Sequence, residues 1–338
     1  MRRKLPKPSS AFEIYWRFAA ERQEIFYRRY IGLPAPWTRD PILSQFKFTN
    51  AYRASDRVSQ YLIRRVIYEG DQSPEQVLFR IFLFKLFNKI ETWELLESQT
   101  GEIRLSDKAF ADYERILSRA MNSGGTIYSA AYIMPPGTHI YSVERKHQAH
   151  LKLLKTLMSR AVVKAIQKAK SMQDAFIVLR SQPLIGDFLG YQFVTDINYS
   201  LVTKFSEMEF TVPGPGAKSG IKKCFESLGD YSEPDVIRYV TEHQETNFGR
   251  YELDFRPLWG RPLQLIDCQN LFCEVDKYTR AVRPGLGGVS GRTRIKQRFR
   301  PSPWPLVYMY PPKWKLRLPS TVQTSRFYGP ALLKGLRE

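Results

Sequence analysis

From Gln76 to Leu96 apolar side chains occupy almost every position, so a helix over this stretch is enclosed on all sides. Lys85, Asn88 and Glu91 or Thr92 recur inside it at helical spacing and form one polar stripe. A charge in such surroundings is costly unless paired. The stripe is therefore an internal ion pair that fixes packing, or one wall of a polar pocket. The adjacent Asn favours the pocket, since charges within apolar walls tend to mark sites.

The remaining pattern predicts a mainly α protein. Helices are expected over Ala11 to Ile31, from Thr49 or Asn50 to about Glu69, and from Ser106 or Asp107 to about Met121. Others follow at Val143 to Lys170, Met172 to Ser181, Asp187 to about Ser200, Ile221 to Leu228, Ser232 to about Thr246, and Leu263 to Val282. Thr126 to Met134 reads equally as strand or helix. Residues 1–10 read as a disordered basic tail, 11–298 as one helical body with room for two lobes around a cleft, and 299–338 as a Pro-rich basic tail that wraps the body or frays from it.

Composition adds a partner. The 338 residues carry a formal net charge of +19, which points to a polyanion, nucleic acid before an anionic membrane. Cys224, Cys268 and Cys273 make neither a metal-ligand pattern nor an even disulfide framework, so reduced thiols and an intracellular setting are expected. His147 and His150 stand three apart on a basic helix without a third ligand; a solvated helix face is the better reading, and no metal or cofactor is implied. The basic start lacks an apolar signal region, and the run Val77 to Phe87 is too short to span a bilayer.

Three patterns carry candidate chemistry. Asn50, Arg53, Asp56 or Arg57, and Gln60 share one face of the second predicted helix, and amides mixed with Arg and Asp suit bases and phosphates. Gly214-Pro-Gly-Ala-Lys-Ser-Gly220 lacks the spacing of a nucleotide-binding P-loop. Its free amides at a helix start, at Gly214 and Gly216, still suit an anion, with Lys218, Lys222 and Lys223 nearby. The turn at Pro183–Gly186 between two helices resembles the hairpin of helix-hairpin-helix DNA glycosylases, with Leu184 where those turns usually have Gly.

Longer strings give a sharper resemblance: Phe-Thr-Asn-x-Tyr-Arg-x-x-Asp-Arg-Val-Ser-Gln from Phe48, Phe-Lys-Leu-Phe-Asn-x-Ile-Glu-Thr-Trp from Phe84, Thr-Asp-x-Asn-Tyr-Ser from Thr195, Gly-Pro-Gly-Ala-Lys-x-Gly-Ile from Gly214, and Ile-Asp-x-Gln-Asn-x-Phe-Cys-Glu-x-Asp-Lys from Ile266. Over roughly residues 12–300 the chain resembles the α-glutamyl/putrescinyl thymine pyrophosphorylase superfamily, which includes the helical domain of 5-hydroxymethyldeoxyuridine DNA kinases. The resemblance implies a glycosylase-like helical fold, DNA as partner, an amine co-substrate, and displacement of pyrophosphate from a 5-hydroxymethyluracil base. Phosphorylation would then fall to a separate kinase. A DNA glycosylase acting on a modified pyrimidine, or a non-catalytic DNA-binding module, are the alternatives.

That chemistry needs an everted base, charge at the leaving group and a carboxylate to hold the amine neutral. Asp196, Glu209 and Asp267 are the expected bases, with Lys85 and Glu91 in the site. Asp196 ranks first, because Phe193 and Val194 would raise its pKa on burial. Asn88, Asn198, Gln269 and Asn270 complete the expected substrate contacts.

Overall fold

The Pro74–Phe87 helix is where the fold begins. Pro74 sits at its first position, where the missing N–H costs nothing, and every residue from Val77 to Phe87 is buried. The computed structural model describes residues 3–289, 291–301 and 307–319. Within them the chain is mainly α-helical. Around the central helix pack the turn Leu62–Ile67 and the helices Lys146–Leu157, Arg160–Lys168 and Asp187–Ile197. Buried apolar residues from Ala11 to Tyr310 join in one core instead of two lobes. No helix among the described residues is long and apolar enough to cross a membrane.

The expected helix over 76–96 is broken at Asn88, whose left-handed φ of 48° ends the first helix; Ile90–Thr100 forms a second. Asn tolerates this conformation better than most side chains. The break rotates Glu91 onto the surface, away from Lys85. The helix expected from Thr49 is likewise divided. The Asp56 carboxylate accepts the Asn50 N–H at 2.7 Å, and the Asn50 amide donates to the Ser55 carbonyl at 2.7 Å. Such side-chain bonds compete with the helix ladder. What forms is a short 3₁₀ turn at Arg53–Ser55, a helix at Arg57–Tyr61 and a wide π turn at Leu62–Ile67.

Other expectations shift less. The long basic helix splits into Lys146–Leu157 and Arg160–Lys168, the second capped by Ser159. The helix from Ser232 divides at His243. The helix expected at Ile221 starts earlier, as Pro215–Cys224, and Phe225–Ser227 is a strand. That strand pairs antiparallel with Lys7–Pro8, while Arg3 reaches Asp235, so residues 3–10 lie ordered against the body. Residues 1 and 2 lie outside the described residues. Of the Pro-rich tail, residues 307–319 wrap the body: Met309 N–H donates to Gln60, Tyr310 shares a hydrogen bond with Ser55, and Lys313 donates to the Ser200 and Thr203 carbonyls.

Thr126 to Met134 is neither helix nor strand. It is an extended loop pinned at both ends. Ser129 N–H donates to the Phe87 carbonyl and Thr92 to the Ile127 carbonyl. His150 bonds the Tyr128 hydroxyl through Nδ1 and the Pro135 carbonyl through Nε2. A carbonyl only accepts, so Nε2 carries the proton. His147 bonds Ser118, and both imidazoles are wholly buried, not on the solvated face expected of them.

The helices Leu265–Val282 and Pro215–Cys224 meet at backbone distance. A Cβ on Gly220 would lie 2.0 Å from the Phe272 carbonyl oxygen. Asp276, wholly buried between these helices, binds Lys223 at 2.9 Å and Ser219 at 2.7 Å, and also pairs with Arg280. We expect Gly220→Ala to destabilise the fold by about 2 kcal/mol or more through overpacking. Gly249→Ala, with nothing within 4 Å of the added methyl, should be neutral or stabilising by about 0.5–1 kcal/mol. Urea denaturation of the two variants measures the contrast.

Candidate functional site

Arg53, Asp196 and Lys85 meet in the interior. The Arg53 guanidinium lies 2.8 Å from one Asp196 oxygen and the Lys85 ammonium 2.7 Å from the other, and all three side chains are under 5% exposed. Three elements bring them together: the 3₁₀ turn holds Arg53, the central helix Lys85, and the Asp187–Ile197 helix Asp196. Arg53 also donates to Gln192 at 3.2 Å and to the Tyr199 hydroxyl at 3.0 Å, and its backbone N–H donates to Asp267 at 2.8 Å. Among the described residues neither Asp196 oxygen has a hydrogen-bond partner beyond these two cations. Two cations face one carboxylate, leaving the cluster positive.

Electrostatics changes the roles expected of the carboxylates. Burial works to raise the Asp196 pKa, as the apolar neighbours suggested, but Arg53 and Lys85 outweigh it and hold the group below its ordinary value. An anion so held positions cations and is a poor proton acceptor. Burial lowers Lys85 to about 8, with Asp196 pulling up and Arg53 pushing down. Asp267 is raised to about 6 by burial, against the Gln264 and Arg53 N–H groups. It caps the Leu265–Val282 helix, a structural duty. Asp56 stands apart. It is half-buried, and burial raises it to about 7 against the Asn50 N–H, with Glu274 adding to the rise. It is the carboxylate here best suited to exchange a proton near neutrality.

Several expected contacts turn inward. Asn50 bonds Arg22 and Ser55; Gln60 bonds Ala54 and Met309; Asn198 bonds Thr203 and Phe205. Only Arg57 of the predicted stripe is exposed. Asn88 is buried at the helix break. Glu209 is exposed, and its carbonyl accepts Arg238. Asn270 donates to Thr49, and Gln269 lies 3.5 Å from the Cys273 sulfur. The Gly-rich turn is explained by packing: a Cβ at Gly214 would meet the Phe188 ring at 2.5 Å, and one at Gly216 the Cys273 sulfur at 2.9 Å. Exposed Lys218 pairs with Glu233 at 3.3 Å, while Lys223 is consumed by Asp276.

Sequence reasoning missed Tyr132 and Phe188. Their rings stack with centroids 5.8 Å apart at 7°, and the Lys85 ammonium lies 4.2 Å from the Tyr132 centroid. The high aromatic content was visible, but no spacing rule links residues 56 apart in sequence. On the surface, a groove lined by Arg280, Arg294, Lys296 and Arg298 adjoins Lys47 and Arg300. Beside it Lys277 bonds the Lys47 carbonyl and Glu274, and Glu274 accepts the Thr49 N–H.

Replacing Asp196 by Asn would leave two buried cations unpaired, and we expect a loss of about 3–5 kcal/mol in urea unfolding at pH 7. The depressed Asp196 pKa contributes stability that is present above its unfolded pKa and lost as pH falls through the folded value. The difference between wild type and Asp196→Asn should therefore shrink in acid.

Comparison with known proteins agrees with this architecture. Residues 9–288 match the family model described as "5-hmdU DNA kinase, helical domain". A 5-hmdU DNA kinase of Bacillus phage SP10 is 27% identical over 301 residues. That alignment covers 82% of this chain and 46% of the phage protein, so the chain spans about half the length of the curated relative it matches. No solved structure matches. With most of its length accounted for by that one model, the chain belongs to the 5-hmdU DNA kinase helical-domain family.

Proposed function

We propose that the protein modifies thymine-derived bases in DNA, displacing pyrophosphate from 5-(pyrophosphoryloxymethyl)uracil with an amine. The observation that carries this reading is the net-positive Arg53–Asp196–Lys85 cluster, with Asp56, raised to about 7, at the end of the 3₁₀ turn that holds Arg53. The family and the phage relative support DNA base modification as the setting. The +19 charge and the basic groove suit the phosphate backbone.

In the reaction the amine nitrogen forms a bond to the 5-methylene carbon. The carbon–oxygen bond to pyrophosphate breaks, and its electron pair leaves with the pyrophosphate. Arg53 and Lys85 supply positive potential to the departing oxygen. Asp56 takes the proton that the attacking amine must shed. Asp196 holds both cations in place. Glu91 and Glu209, exposed on the surface, and Asp267, a helix cap, have no part in this scheme. Pyrophosphorylation needs a kinase site that Gly214–Gly220, without P-loop spacing, does not supply. The glycosylase reading draws on one feature: the turn before Asp187 puts Leu184 at φ 65°, the left-handed conformation a Gly adopts freely.

Mass spectrometry of nucleosides from DNA bearing 5-(pyrophosphoryloxymethyl)uracil, incubated with protein and candidate amines, decides between them. A new aminated nucleoside is expected. Release of free base would instead establish a glycosylase, and no change in the DNA would refute both. Asp56→Asn should lower turnover about 100-fold or more while DNA affinity holds. In the wild type, activity should rise through about pH 7 as Asp56 ionises, and the variant should lack that limb.

A further inference from the structure

The loop over 126–137 is fixed at its ends and exposed at its tip, where the Ala131 N–H donates to the Ser129 hydroxyl. His150, Phe87 and Thr92 hold residues 127–129 and 135, while Ala130, Ala131 and Ile133 are exposed, Ile133 at 71%. Tyr132 alone turns inward from the tip, and it does so at φ 55°, a left-handed conformation that strains a bulky side chain. Its ring lies parallel to Phe188 and beneath the Lys85 ammonium. Burial pushes its hydroxyl up to about 12, Arg53 draws it down, and Asp56, Asp196 and Cys273 add to the rise. The hydroxyl of the ring therefore feels the charged cluster.

A six-membered aromatic ring with a polar far edge has the outline of a pyrimidine. Gly214 keeps the space that lets Phe188 form the floor, since any Cβ there would strike its ring. Lys85 lies over the ring face, as a cation over a base, while Arg53 and Asp196 bring a donor and an acceptor nearby, the two kinds of group a uracil edge can pair with. We propose that the space taken by the Tyr132 ring, against Phe188 and the Lys85 ammonium, is the binding slot for an everted uracil-type base, and that Tyr132 occupies it as a stand-in and withdraws when DNA is bound. This rests on the base-modifying reading above only in requiring an extrahelical base. The exposed tip makes withdrawal a local motion, with the pinned ends undisturbed.

The test uses the full chain and a duplex carrying 5-hydroxymethyluracil beside 2-aminopurine, whose fluorescence rises when its neighbour leaves the stack. Tyr132→Ala should raise the fluorescence at saturation and tighten binding about 3- to 10-fold, because a slot already vacant removes the cost of populating the open form. Tyr132→Phe should behave as wild type. Phe188→Ala should weaken binding of this duplex about 10-fold relative to an unmodified one, by loss of stacking. Thermal melting confirms that each variant is folded. The slot is overturned if Tyr132→Ala matches wild type in both readouts, or loses affinity in step with Phe188→Ala. It stands if the fluorescence response is as expected yet no aminated nucleoside forms, which separates its fate from that of the transferase reading. Absence of any DNA binding would overturn both.

Discussion

The burial of two cations on a single carboxylate is the constraint that organises this molecule. Removing such groups from water costs several kcal/mol each, and their mutual attraction offsets that only in good geometry. Arg53 enforces the geometry. Through its guanidinium and its backbone N–H it touches Asp196, Gln192, Tyr199 and Asp267, so one residue ties together the 3₁₀ turn, the Asp187–Ile197 helix, the segment after it and the start of the Leu265–Val282 helix. Lys85 adds the central helix. A shift in any of these elements would expose an uncompensated charge, so the site and the fold are stabilised by the same contacts.

The second constraint is close approach of backbones. Gly220 against Phe272 and Gly216 against Cys273 let one helix lie flush on another, and Gly214 makes room for Phe188 of a third. The buried Asp276, with Lys223, Ser219 and Arg280 around it, then locks the pair. A Gly-rich turn with nearby lysines looks like an anion site in sequence. Here its glycines serve contact distance, and one of its lysines is spent inside the protein.

Much of this was legible before coordinates. The enclosed helix and a charge at its heart that must find a partner follow from an apolar run that leaves Lys85 nowhere to go, although the partner it finds, Asp196, was read from sequence as a proton acceptor. Helix starts at Ser106 and Ser232 follow from capping chemistry. What sequence could not reveal were bonds that override local propensity: Asp56 and Asn50 unwinding the second helix, Asn88 breaking the third. Nor could it sign a pKa. Burial alone argued that Asp196 should be raised, and two cations from distant segments reverse that, while Asp56, read as a surface contact, becomes the group poised near neutrality. Tyr132 was hidden because its meaning depends on Phe188, Lys85 and a loop with no periodic signal.

The wrapping segment at 307–319 carries a consequence for where this unit ends. Family similarity stops at residue 288, yet Met309, Tyr310 and Lys313 fasten onto Gln60, Ser55 and the carbonyls at 200 and 203, one turn away from Arg53 and just beyond Asp196. The limits of the family match and the limits of the packed body thus fall in different places, and a strap lying outside the matched residues braces the rear wall of the most charged interior.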